Sequence, residues 1–175
     1  MSRKPKIIGI VGYSGSGKTT LVTGLTKILS SNGLRVGTVK HTHHDLDILQ
    51  QNSLAKDLSQ SKIRELMVTN QTQFAIMRTE KAIGYNSPYC CDIDNTNCDI
   101  YLIEGFKHKA FPKIEVWRAN TKSPILSAAD PYILAIAAAS NEHKKLYKSL
   151  SIPILDLNNH SIIAKFISEY FRLTD

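Results

Sequence analysis

Apolar positions in this chain fall into short continuous runs that alternate with longer stretches at helical spacing. Lys6-Ile7-Ile8-Gly9-Ile10-Val11 is such a run and predicts a buried strand. From Thr19 to Ser31 the period changes. Leu21, Leu25, Ile28 and Leu29 fall on one side with Val22 beside them, and Asn32-Gly33 closes the segment as a helix C-terminus. Leu34 to Val39 reads as the second strand. This order predicts a mostly parallel sheet with helices on its faces. Short strands follow at Leu66 to Thr69 and Phe74 to Arg78, around the turn Asn70-Gln71. Further strands are expected at Asp99 to Gly105, Pro112 to Trp117, Tyr132 to Ala138 and Pro153 to Leu157. A closing helix runs from Ser161 to Phe171, with Ile162, Ile163, Phe166, Ile167 and Tyr170 as its apolar stripe. Residues 41 to 65 are polar, with a helix expected near Ala55 to Glu65. Ile83 to Thr96, with Gly84, Pro88 and two Asn, reads as irregular. No repeat or low-complexity linker interrupts the pattern, so one domain over residues 1–175 is expected.

Between the first strand and the first helix stands Gly12-Tyr13-Ser14-Gly15-Ser16-Gly17-Lys18-Thr19. It fits G-x-x-x-x-G-K-[ST] at every fixed position and sits in the strand-to-helix context that the motif requires. Such a turn aims backbone N–H groups at a phosphate. Gly12, Gly15 and Gly17 would shape the nest, and Ser14, Ser16 and Thr20 would line it or cap the helix. Lys18 can reach the β- and γ-phosphates, and the Thr19 hydroxyl can ligate Mg²⁺. The expected architecture is therefore a three-layer α/β/α P-loop nucleotide-binding fold.

Composition adds little to this. Hydrophobic residues make up 42% and charged residues 21%, as in ordinary globular proteins. No run of about 18 apolar residues occurs, and the basic Met1-Ser2-Arg3-Lys4-Pro5 is not followed by a signal-peptide core, so a cytoplasmic location is expected. The formal net charge of +7 suits anionic nucleotides, an acidic partner or a solvated surface. Nucleic acid is not favoured, because no basic block interleaved with aromatics and no DNA-binding motif is evident. Cys90, Cys91 and Cys98 are odd in number and lack zinc-site spacing, which leaves them as buried or incidental thiols.

A second informative unit is Asp99-Ile100-Tyr101-Leu102-Ile103-Glu104-Gly105. Its acid Glu104 lies at the C-terminal end of a core strand, where ligands of open α/β sheets bind. A P-loop protein needs an acid there for Mg²⁺ or its water, so Glu104 is the candidate and Asp99, at the opposite end, caps the strand. His41, His43 and His44, with Asp45 and Asp47, follow the second strand. They can contact nucleotide phosphate or the Mg²⁺ shell, hold a divalent metal, or serve only in structural hydrogen bonds. Lys40 and Lys107 can offset phosphate charge or remain solvated. Arg118 can reach an anionic ligand or pair with a dimer mate, and Trp117 reads as packing or interface. The Asn/Thr-Lys-x-Asp motif of ordinary GTPases is missing. Ala139-Ser140-Asn141-Glu142 stands after the late strand instead.

These residues together resemble the MobB family of molybdopterin-guanine dinucleotide biosynthesis accessory proteins. Besides the P-loop, the resemblance lies in Gly33-Leu34-Arg35-Val36-Gly37-Thr38-Val39-Lys40-His41, then His43, His44, Asp45 and Asp47. It continues in Glu104-Gly105-Phe106-Lys107, in Pro112-Lys113-Ile114-Glu115-Val116 followed by Trp117-Arg118, in Asp130-Pro131 with Ile133 to Ala138, and in Ile152 to Leu157. One region departs. The family usually has Gly-Lys-Asp-Ser and then Ala-Gly-Ala, where this chain has Ala55-Lys56-Asp57-Leu58 and Arg64-Glu65-Leu66. Loss of small residues there alters local packing or the face offered to a ligand.

The resemblance implies a homodimeric GTP-binding protein that uses Mg²⁺, hydrolyses GTP weakly and assists MobA. That enzyme is a guanylyltransferase which attaches GMP to molybdopterin, and molybdopterin itself is a further candidate ligand. Carried onto this chain, the family's site would comprise His41, His44, Asp45, Glu104 and Lys107 with the P-loop. Lys18 would stabilise charge in hydrolysis, and Thr19, Glu104 and Asp45 would organise the metal. The main rival is a P-loop small-molecule kinase. It would need an Arg-rich lid, whereas the segment after Ala138 offers Lys144, Lys145 and Lys148 but no arginine.

Overall fold

Buried strands need neighbours on both sides, and β1 (Lys6–Val11), buried from Ile8 to Val11, has them. It lies inside an eight-stranded sheet with β2 (Val36–His41), β3 (Glu65–Thr69), β4 (Phe74–Arg78), β5 (Ile100–Glu104), β6 (Lys113–Val116), β7 (Ile133–Ala138) and β8 (Ile154–Asp156). The order across the sheet is β4-β3-β2-β5-β1-β6-β7-β8. All pairs are parallel except β3 with β4. This computed structural model describes residues 4–41, 65–69, 98–119, 124–139 and 151–173, together with the backbone of 74–78.

Among the described residues two α-helices flank the sheet, α1 (Lys18–Ser31) and α2 (His160–Phe171). Both lie on one face. Leu21, Leu25 and Leu29 of α1 and Ile163 and Ile167 of α2 share a core with Ile8, Ile10, Leu102 and Ile114 of the central strands. Each fully buried Leu or Ile of this kind contributes roughly 1.5–3 kcal/mol. On the other face Tyr101, Val39 and Ile103 pack with Phe106 and Phe111. The buried Tyr101 hydroxyl donates to Glu65 Oε1 at 2.6 Å. Among the described residues, helices cover one face only, so the expected three-layer arrangement is seen as a mostly parallel sheet with one helical layer. The helix expected near residues 55 to 65 lies outside the described residues.

Local chemistry fixes the element ends. Asn159 caps α2 by accepting from the Ile162 N–H at 3.3 Å, and Arg172 closes it in the left-handed conformation. Asp99 sits at the N-terminal end of β5, as expected. Its carboxylate accepts from the Arg35 backbone N–H at 2.8 Å, from Nε at 3.1 Å and from an η nitrogen at 2.7 Å. That pairing starts β2 and β5 side by side. Their far ends, with that of β1, then finish together, since Ile10 and Lys40 both register with Glu104.

Candidate functional site

The loop after β1 crosses to α1 through three glycines in left-handed backbone, Gly12 (φ 144), Gly15 (φ 74) and Gly17 (φ 103). Gly12 is also a close approach. A Cβ there would collide with the Val116 carbonyl and stand 3.0 Å from Ser16 Oγ. Gly17 is the N-cap of α1 and supplies no side-chain cap, so the helix N-terminus is left to the backbone and to any anion that docks there. Ser16 is buried, and its hydroxyl has no hydrogen-bond partner among the described residues. Ser14, Gly15 and Thr20 are exposed.

Lys18 bends back over this loop, donating from Nζ to the Tyr13 carbonyl at 2.8 Å. Its pKa is pushed below the usual lysine value, first by burial and further by Lys107 and Lys40, with Glu104 pulling the other way. Thr19 Oγ1 donates to Glu104 Oε1 at 2.8 Å. A hydroxyl and a carboxylate oxygen this close are hard oxygen donors of the kind Mg²⁺ takes, so the pair fits the ion. Sequence separation hides this contact, which joins residues 85 apart.

Gly105, in left-handed backbone, turns the chain after β5 so that Phe106 stacks on His41, with ring centroids 4.4 Å apart. Lys107 then places its ammonium 5.0 Å from the centre of the Tyr13 ring, a cation–π contact with the P-loop. The result is a cleft of about 510 Å³ between the P-loop and this turn, to which Lys18, His41, Glu104 and Lys107 contribute. Its chemistry is three lysines, Lys18, Lys107 and Lys109, and the Glu104 carboxylate around the P-loop, which suits a polyanion with a cation. His43, His44, Asp45 and Asp47 lie outside the described residues. Among the described residues, no three His, Cys, Asp or Glu side chains gather as a metal site.

Some features of this region escape the sequence reading. Lys113 and Glu115 occupy a strand yet are almost fully buried. The Lys113 ammonium donates to the carbonyls of Lys107 (3.1 Å) and Lys109 (2.7 Å) and pairs with Asp130 at 2.5 Å. Glu115 accepts from the backbone N–H groups of Leu126 (2.8 Å) and Ser127 (2.9 Å), at the short 3₁₀ turn Leu126–Ala128. Burial raises the Glu115 pKa, and those two hydrogen bonds oppose the rise. Both charges lie on the sheet face away from the helices and pin the loops beside the site. A second cleft of about 470 Å³ shares the Lys107 to Lys109 turn and is walled opposite by Ile125, Pro131 and Tyr132. The only sequence signal was charge at alternate positions of an otherwise apolar run. Arg118, expected to reach an anion or a dimer mate, donates from Nε to the Ser16 carbonyl at 2.9 Å. Trp117 packs against the cluster of Ile136 and Ala138.

The family model described as MobB, molybdopterin guanine dinucleotide synthesis protein B, matches residues 7–139. The chain belongs to the MobB family. A curated relative from Haemophilus influenzae, named molybdopterin-guanine dinucleotide biosynthesis adapter protein, is 33% identical over 173 residues, covering 98% of this chain and 93% of the relative. One of the same name from Escherichia coli K12 is 28% identical over 169 residues, covering 95% and 93%. The fold resembles a solved MobB homologue from Bacillus stearothermophilus, with TM-score 0.57, 20% identity and coverage of 96% and 99%. It also resembles Bacillus subtilis MobB, with TM-score 0.53, 22% identity and coverage of 93% and 95%. In this MobB-family chain the unit Glu104 to Lys107 forms one wall of the P-loop cleft. The unit Pro112 to Arg118 runs beneath it and anchors its loops. No helix among the described residues is long and apolar enough to cross a membrane.

Proposed function

We propose that the chain binds GTP with Mg²⁺ in the P-loop cleft, hydrolyses it slowly, and acts as a homodimeric cytoplasmic accessory in molybdopterin-guanine dinucleotide biosynthesis. Its partner would be a MobA-like guanylyltransferase, with molybdopterin as a further ligand. The observation that carries the nucleotide reading is the meeting of Lys18, Thr19 and Glu104 at one end of the P-loop. The pathway reading is supported by the family and by the printed names of the curated relatives.

In this reading the amides of Gly12 to Thr19 cradle the phosphates. Lys18 exchanges the Tyr13 carbonyl for β- and γ-phosphate oxygens and meets the charge that develops as water attacks the γ-phosphate. Thr19 and Glu104 would hold a magnesium ion, with Asp45 as a further candidate ligand, and the ion would neutralise phosphate charge. His41, His44 and Lys107 border the phosphates.

Binding of GTP and ATP with Mg²⁺, by wild type and Lys18→Ala, tests the nucleotide reading. GTP should bind more tightly than ATP, and the variant should lose both. Preference for ATP with phosphorylation of an added acceptor would replace this reading with a small-molecule kinase. Adding the protein to a purified guanylyltransferase should raise guanine-dinucleotide formation. Firm GTP binding without that rise would sink the accessory role.

A further inference from the structure

The P-loop is braced from β6. The Val116 carbonyl stands too near Gly12 to admit a Cβ there, and two residues later the Arg118 guanidinium lies on the loop's other end. Nε donates to the Ser16 carbonyl, and Nε and an η nitrogen lie 3.8 and 3.6 Å from the place a Gly17 Cβ would take. This contact has a stereochemical consequence. Described residues contain no cis peptide, so the Ser16–Gly17 unit is trans and planar, and its C=O and N–H point in opposite directions. An oxygen held on Arg118 therefore sends the Gly17 N–H away from the guanidinium. That direction needs a hold, because glycine gives the peptide wide rotational freedom. The Ser16 side chain does not supply it, since its buried hydroxyl has no hydrogen-bond partner among the described residues.

We propose that Arg118 is a positioning residue of the nucleotide site, clamping the Ser16–Gly17 peptide so that the Gly17 N–H faces the nucleotide phosphates. This rests on the P-loop cleft being a nucleotide site. A direct charge contact between Arg118 and phosphate makes a different prediction, and glutamine separates the two. Its Nε2 lies as many bonds from the backbone as arginine Nε and donates without charge.

The test titrates wild type, Arg118→Ala and Arg118→Gln with GTP and with ATP, in Mg²⁺, and melts each protein without ligand. Arg118→Ala should weaken binding about tenfold, and Arg118→Gln should restore it to within about threefold of wild type, as befits one hydrogen bond to an organised acceptor. Should the alanine variant not fold, Arg118→Met keeps the apolar stem and takes its place. Wild-type affinity in the Ala or Met variant would overturn the proposal. So would an Arg118→Gln variant as weak as Arg118→Ala, which would assign a direct charge contact. A wild type that binds no nucleotide would overturn the proposed function itself, a result separate from either variant outcome.

Discussion

Lys18 sets a cost against a use. Its ammonium is half-buried beside Lys107 and Lys40, and its pKa lies below the usual 10.5. The unfolded chain therefore holds that proton more tightly than the folded one. Folding is penalised below the Lys18 pKa, and the penalty fades as pH rises through that pKa towards the ordinary lysine value. Lys18→Met should accordingly raise the melting temperature of the ligand-free protein at neutral pH. The gap to wild type should close at alkaline pH, which melting curves across that range would show. A variant that melts lower than wild type at neutral pH would refute this account. At this scale much of the candidate site was legible. The spacing of Gly12, Gly17, Lys18 and Thr19 and the strand-end position of Glu104 both follow from local pattern. The roles of Lys113 and Arg118 were not, because each is defined by carbonyls that belong to other loops and have no sequence signature.

Between elements, close packing makes single atoms matter. Gly37 in β2 lies under the ring of Tyr101 in β5, and a Cβ there would collide with that ring. The ring has no room to retreat, being fully buried with its hydroxyl bonded to Glu65. Gly37→Ala should therefore cost about 1–3 kcal/mol, read from urea denaturation midpoints. Strand identities were legible from hydrophobic runs, while strand limits were not. The second strand was expected over Leu34 to Val39 and is found at Val36–His41. Arg35 is drawn out of the run by its pairing with Asp99. His41 is drawn in by registering with Thr69. Nor does an apolar run say which strand it will pair with, so the sheet order had to come from the structure.

For the molecule as a whole, one ion pair joins regions that sequence keeps apart. Lys113 ties the turn forming the cleft wall to Asp130 in the loop before β7. Lys113→Met would leave that carboxylate and two carbonyls without their cation and should cost about 3–5 kcal/mol. With Asp130→Leu added, the double variant should lose less than the sum of the singles, as measured by a denaturation cycle. Strict additivity would mean the pair is not coupled. The place of β1 in the sheet also bears on synthesis. Its two hydrogen-bonded neighbours are β5 (Ile100–Glu104) and β6 (Lys113–Val116). A nascent chain thus makes the P-loop before β5 and β6 but cannot seat it until both strands have left the ribosome, and such distant pairings are slow to form. The phosphate loop is translated before the strands that hold it and must wait for them to take shape.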